Sequence, residues 1–172
     1  MTDSFYGIRR NTKGWQQDPP ARIHTNILFG SGEMLTKDFI RQHDITHIIN
    51  CAQEEDCPLW VREEFLYDYY CLNATDSIQS NILQWFPEFE RALDAFLQCS
   101  KSKTIFIHCQ CGINRSGFLS LLYACKKFGH SHDTMVKSIL TQRPCALTNP
   151  SFKKQAFDYI KKLPVKYNGR SL

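Results

Sequence analysis

Cys109 and Arg115 stand six positions apart in the run His108-Cys109-Gln110-Cys111-Gly112-Ile113-Asn114-Arg115-Ser116. An apolar stretch, Ile105-Phe106-Ile107, precedes the run, and a helical pattern begins behind it at Gly117. A strand that hands a short loop to a helix N-terminus aims the loop amides and the first-turn amides at one point, which makes an anion pocket. A cysteine at the mouth of that pocket meets positive potential, which favours thiolate over thiol. The thiolate is the nucleophilic form, so one loop can both hold a phosphate and attack it. Arg115 brings a planar fork that grips two phosphate oxygens, a geometry lysine lacks. The backbone of Gln110, Cys111, Gly112, Ile113, Asn114 and Arg115 supplies further donors, preorganised for charge. Gly112 sits where the chain must bend tightly without a Cβ in the way. Ser116 is placed to give the sulfur a hydroxyl hydrogen bond and to ease its later departure as thiolate.

The pattern His-Cys-x-x-Gly-x-x-Arg-Ser resembles the signature of the cysteine-dependent phosphatases. Within that superfamily the chain is most similar to the small dual-specificity protein phosphatases, including the compact poxvirus-type enzymes, over about residues 23–163. The resemblance implies hydrolysis of phosphotyrosine and of phosphoserine or phosphothreonine through a phosphocysteine intermediate. No pocket-deepening tyrosine loop is visible in residues 21–60, so a shallow site is expected. An RNA 5′-triphosphatase of the capping type shares such a loop and stands as an alternative, with RNA as its substrate. A pseudophosphatase that binds phosphorylated partners without turnover is another, although the cysteine, the arginine and an acid are all present.

That acid must come from elsewhere in the chain. Asp76 follows the segment Tyr69-Tyr70-Cys71-Leu72 and precedes a helix expected from about Asn81, 33 residues ahead of the cysteine. The resemblance places the proton donor in this segment. An aspartate there also suits a turn or a helix cap. His108 invites a reading as a base, but holding the cysteine through a backbone hydrogen bond fits it better. Asn114 is expected to shape the loop by side-chain-to-backbone bonds. Asn149, in Asn149-Pro150-Ser151-Phe152, resembles the family segment that braces the loop.

The elements that must position these groups follow from periodicity. Residues 23–30 read as a strand or hairpin, 35–42 as a short helix, and 45–51 as a buried central strand, being β-branched on both faces. Residues 54–64 read as a polar connection and 65–73 as a strand. Residues 81–99 carry a helical apolar face in which Pro87 marks a kink or the true start. The strand 104–107 feeds the loop. Helices follow over 117–128, 132–142 and 149–162, with Gly129 and Asn149 as caps. The expected fold is α/β: a single domain with a mostly parallel, twisted sheet of four or five strands flanked by helices. The phosphate loop joins a central strand to a buried helix. Residues 1–20 read as an extended or flexible arm able to pack on the domain or on a second copy, 21–165 as the catalytic domain and 166–172 as a tail.

The chain has 172 residues, 22% of them charged, and a net charge of +4, mild enough to suit an anionic substrate without arguing for nucleic acid. Its 8 cysteines come with no visible signal peptide and no apolar stretch long enough to span a bilayer. Free thiols in a reducing cytoplasm or nucleus are expected, with no membrane partner. Cys109-x-Cys111 beside His108 has no second pair at finger spacing, so no metal is expected. The chemistry requires no organic cofactor.

Overall fold

The structure, a computed structural model, describes residues 11–64 and 68–164. Five strands form one sheet in the order β1-β2-β5-β3-β4, where β1 is Ala21–His24, β2 Ile27–Ser31, β3 Ile45–Asn50, β4 Tyr69–Cys71 and β5 Thr104–Cys109. Among the described residues, only β1 and β2 pair antiparallel; β2 with β5, β5 with β3 and β3 with β4 run parallel. The central strand β5 is buried along its whole length. Its pairing aligns Cys109 with Ser31 and His108 with Asn50. All the parallel strands therefore end on the same side as the cysteine, the edge where open α/β sheets bind ligands.

Alternation along the strands divides the core into two layers. Ile105, Ile107, Ile49 and Phe29 face four helices: α3 (Phe86–Gln98), α4 (Arg115–Phe128), α5 (His132–Gln142) and α6 (Pro150–Lys161). Phe106, Ile48 and Leu28 face the other way, against Phe39 and Ile40 of α1 (Lys37–Gln42) and Val61 of α2 (Leu59–Glu64). Helix α4 is buried from Ser116 to Cys125 because it lies between the sheet and α6. Phe118 and Phe152 meet edge to face there at 5.7 Å, each fully buried side chain contributing about 1.5–3 kcal/mol.

Most expected elements are present with shifted ends. Pro87 lies in the first turn of α3 after a separate short turn, Ile82–Gln84, and so marks the helix start. Gly129 ends α4 in the left-handed conformation at φ 72°. One expectation fails and another is met in part. Residues 54–64 are not a plain connection, since they hold a one-turn helix, Glu54–Asp56, and then α2. Helix α2 is too short to show a period, and Val61 is its one buried residue. The strand expected over 65–73 pairs only at Tyr69–Cys71, with 65–67 outside the described residues.

Where it is described, the N-terminal segment is held against the domain. A turn at residues 15–17 is followed by Asp18, which is buried at 3% exposure and accepts from Lys13 N at 2.9 Å and Cys145 N at 2.9 Å. Residues 1–10, on which the remainder of the arm and its pairing of copies would rest, and the tail 166–172 lie outside the described residues. No helix among the described residues is long and apolar enough to cross a membrane.

Candidate active site

Strand β5 delivers Cys109 to the sheet edge, where the residue is 2% exposed. The chain then turns through residues 110–114 into α4. Every carbonyl from Cys109 to Asn114 has a hydrogen-bond partner, those of Gln110 to Ile113 from distant segments. Cys109 O lies 3.1 Å from His108 Nδ1, and Gln110 O accepts from Ser31 Oγ at 2.9 Å. Cys111 O accepts from Arg143 Nη2 and Gly112 O from Arg143 Nε, both at 2.7 Å. Ile113 O takes Leu147 N at 2.9 Å, and Asn114 O takes Phe118 N at 2.8 Å. A trans peptide is planar, so a carbonyl pulled outward sends the N–H of the same unit inward. Among the described residues, no hydrogen bond is donated by the backbone N–H of Gln110, Cys111, Gly112, Ile113 or Asn114. Five unspent donors beside the N-terminus of a 14-residue helix form the anion pocket expected from the sequence.

Gly112 makes this path possible. Its φ is +67°, and an added Cβ would stand 2.2 Å from the carbonyl carbon of Gly30. The loop therefore leans directly on the backbone of β2, and no side chain fits at this position.

Arg115 is the first residue of α4. Its Nη1 donates to Ala74 O at 3.0 Å, while its Nε is buried and without a partner among the described residues. A buried, unpaired donor on a guanidinium is costly unless an acceptor arrives, and a phosphate oxygen supplies one. Ser116 is fully buried with Oγ 3.2 Å from the Cys109 sulfur.

Asp76 is held on both oxygens. Asn114 Nδ2 donates to Oδ2 at 3.0 Å and Asn149 Nδ2 donates to Oδ1 at 2.9 Å. Each oxygen keeps a second lone pair, so the carboxyl can still carry a proton. Asn114 is the hub, because its Oδ1 accepts from Thr148 N at 2.8 Å and from Asn149 N at 2.9 Å. It thus joins the cysteine loop, the Asp76 loop and the start of α6. Asn149 also caps α6 through Oδ1 to Ser151 N and Phe152 N. Ser151 Oγ to Ile78 O at 2.7 Å and Gln155 Nε2 to Ser80 O at 3.1 Å complete the clamp on the Asp76 loop. Arg115 is tied to the Asp76 loop through Ala74 O, Asp76 to the cysteine loop through Asn114, and Cys109 to the start of α4 through Ser116.

Burial pushes the Cys57, Cys125 and Cys145 thiols up to about 12. Burial also raises Cys51, Cys71 and Cys111. Those six stay protonated at neutral pH. All eight cysteines carry free thiols.

His108 is fully buried, and burial holds its proton affinity down to about 4 from an ordinary 6.5. Its Nε2 has no partner among the described residues, so a second proton would charge an atom with nothing to accept it. The ring is therefore neutral and braces the Cys109 carbonyl. The unfolded chain protonates His108 near 6.5 and the folded one near about 4. Between those values the unfolded state holds more protons, so His108 makes stability fall as the pH drops from 6.5 toward 4. The loss is at most about 3 kcal/mol. Urea unfolding at pH 7 and pH 4.5 should show a smaller acid loss for His108→Asn than for the wild type, and an equal loss would contradict this assignment.

Two loop-holding residues lie outside what periodicity reveals. Arg143 reads in the sequence as the break after a helix, and Ser31 as a turn residue. Both act on carbonyls more than 30 residues away, and the sequence carries no local mark of either. A 620 Å³ cavity lined by Cys125, His130, His132, Phe157 and Leu163, among others, lies apart and includes no residue of the cysteine loop. Among the described residues, no group of three or more His, Cys, Asp or Glu side chains is placed to hold a metal ion.

Comparison with known proteins bears on this geometry. A family profile described as "Dual specificity phosphatase, catalytic domain" matches residues 27–162. Human "Dual specificity protein phosphatase 16" is 28% identical over 149 residues, spanning 84% of this chain but 21% of that protein. The chain thus spans about a fifth of the length of this relative and of rat "Protein phosphatase Slingshot homolog 3". Arabidopsis thaliana "Dual specificity protein phosphatase 1B" is 24% identical over 144 residues, 83% of each chain. The structure of OH1 from the Orf virus superposes with a TM-score of 0.69 at 16% identity, covering 92% of this chain and 94% of that one. Human DUSP28 superposes at 0.70 and 17% identity, covering 83% of this chain and 93% of that one. At such identities the two structures show a shared fold.

Proposed function

The chain belongs to the dual specificity phosphatase catalytic-domain family, and on that premise we propose that it hydrolyses phosphotyrosine and phosphoserine or phosphothreonine in proteins through a phosphocysteine intermediate. One observation carries the reading: five unspent loop N–H groups and the unpaired Arg115 Nε lie around a buried cysteine. That arrangement suits an anion with several oxygens and leaves a sulfur to attack its phosphorus.

In this reading the substrate phosphate seats on the amides of residues 110–115 with Arg115 spanning two oxygens. The Cys109 thiolate attacks phosphorus, the bond to the tyrosine, serine or threonine oxygen breaks, and Asp76 gives that oxygen its proton. Water then attacks the phosphocysteine. Asp76, now a carboxylate, takes a proton from that water, inorganic phosphate forms, and the sulfur leaves as thiolate with the Ser116 hydroxyl stabilising its charge. Gln110, Cys111, Gly112, Ile113 and Asn114 act through their backbone. His108 and Asn149 act as supports. The steps as written call on no metal. Free thiols throughout suit a reducing compartment, cytoplasm or nucleus.

The test is phosphate release from a phosphotyrosine peptide, a phosphothreonine peptide and an RNA bearing a 5′-triphosphate. Release from both peptides is the expected result. Release from the RNA alone would assign a triphosphatase, and peptide binding without release a pseudophosphatase; either overturns the proposal.

A further inference from the structure

Arg143 is 0% exposed, the largest of the fully buried side chains among the described residues. Its guanidinium has five N–H donors, and five carbonyl oxygens receive them. Two belong to the cysteine loop, Cys111 O and Gly112 O, both at 2.7 Å. The other three belong to the segment before β1: Trp15 O at 2.9 Å, Asp18 O at 2.6 Å and Pro19 O at 3.0 Å. Among the described residues, none of its hydrogen-bond acceptors is a carboxylate.

A buried cation whose hydrogen bonds all go to carbonyls, with the Asp18 carboxylate only in electrostatic reach, is an expensive way to hold a fold together, since an apolar side chain of similar size often serves stability as well or better. What the guanidinium does that an apolar group cannot is to fix two adjacent peptide planes at once. With Cys111 O and Gly112 O held on one side, the N–H groups of Gly112 and Ile113 are sent to the other. Its charge lies in electrostatic reach of Cys145 and Asp18, and also of Cys109 and Cys111. We infer that Arg143 is a positioning residue for the phosphate loop and that it couples the loop to residues 15–19, so that the N-terminal segment is a working part of the anion site. This rests on reading the loop as a phosphate cradle.

Asp18 locks the outer end of the coupling. Its carboxylate accepts from Lys13 N and Cys145 N, holding the turn that presents Trp15 O, Asp18 O and Pro19 O to the guanidinium. Lysine at position 143 would keep the charge but offer three donors from a single atom, too few and too narrow to hold both peptide planes and the segment.

The experiment uses the 172-residue chain as wild type, Arg143→Lys and Asp18→Asn, with three readouts: alkylation of Cys109 by iodoacetamide at pH 6, competitive inhibition by inorganic phosphate, and the urea midpoint. Arg143→Lys should slow alkylation and weaken phosphate inhibition by about tenfold or more, because small misplacements of aligned groups carry losses of that order. Asp18→Asn should move both in the same direction by about threefold, and it keeps the coupling open to test where Arg143→Lys does not fold. A role confined to stability predicts a lower urea midpoint with alkylation and phosphate inhibition of the folded protein at wild-type values. That result in Arg143→Lys, or in Asp18→Asn when it alone folds, overturns the inference. A wild type whose Cys109 resists iodoacetamide and which does not respond to phosphate would instead sink the cradle reading itself.

Discussion

Cys109→Ser should lower turnover of an aryl phosphate by at least about a thousandfold, the order seen when a covalent nucleophile is lost, while phosphopeptide affinity stays within a few-fold of wild type. The substitution removes almost nothing else. Serine is close to cysteine in size, and the residue lies in a buried strand end whose carbonyl is held by His108 and not by its own side chain. The five inward N–H groups, Arg115 and the Ser116 hydroxyl all remain. A hydroxyl in place of the thiol keeps its proton at neutral pH, so the cradle stays and the attacking charge does not. Calorimetric titration with a phosphotyrosine peptide, beside the turnover assay, separates the two effects. A serine variant that still turns over at a tenth of the wild-type rate would remove the covalent mechanism.

Asp76→Asn has the second largest expected effect, and it depends on the substrate. Loss of a positioned proton donor costs about 10²- to 10⁴-fold, and that loss should appear in kcat on phosphotyrosine and phosphothreonine peptides. An aryl phosphate whose phenol is strongly acidic leaves without protonation and should lose under about tenfold. The comparison matters because the substitution has a structural side. The carboxylate accepts from both Asn114 and Asn149, and an amide at position 76 turns an N–H₂ toward one of them. Asn114 cannot flip to accommodate it, since its Oδ1 already accepts from Thr148 N and Asn149 N. The Asp76 loop is thus expected to loosen somewhat. Loosening lowers both substrates together, whereas a missing proton lowers only the one with the poor leaving group. Equal losses on both would assign Asp76 to architecture and move the acid elsewhere.

How much of this was legible in the sequence depends on how far each contact reaches. The cysteine loop is local: apolar strand, turn and buried helix lie within 25 residues, and the covalent order itself brings Cys109, Gly112, Arg115 and Ser116 together. The sheet was legible because Ile45–Asn50 and Thr104–Cys109 are apolar on both faces, and that happens only in strands covered on both sides. Asp76 and Asn149 were nominated through the family resemblance, their positions alone suggesting a turn and a helix cap, and that they share an Asn114-centred network needs three segments folded together. Arg143 and Asp18 were illegible for the same reason taken further. Arg143 bonds to residues more than 120 positions away, and a charged residue before a proline looks like a solvated turn. Helix α2 was missed because two turns with one buried residue leave no period to read.

The central claim is a covalent bond between Cys109 and phosphorus, and the most direct measurement is to trap it. Asp76→Asn protein, slowed in the step that releases phosphate, is mixed with an activated aryl phosphate, quenched, digested and analysed by mass spectrometry. A phosphoryl adduct on the peptide carrying Cys109, absent from the Cys109→Ser control, is the predicted result. Turnover with no adduct, or an adduct on any other side chain, would contradict it.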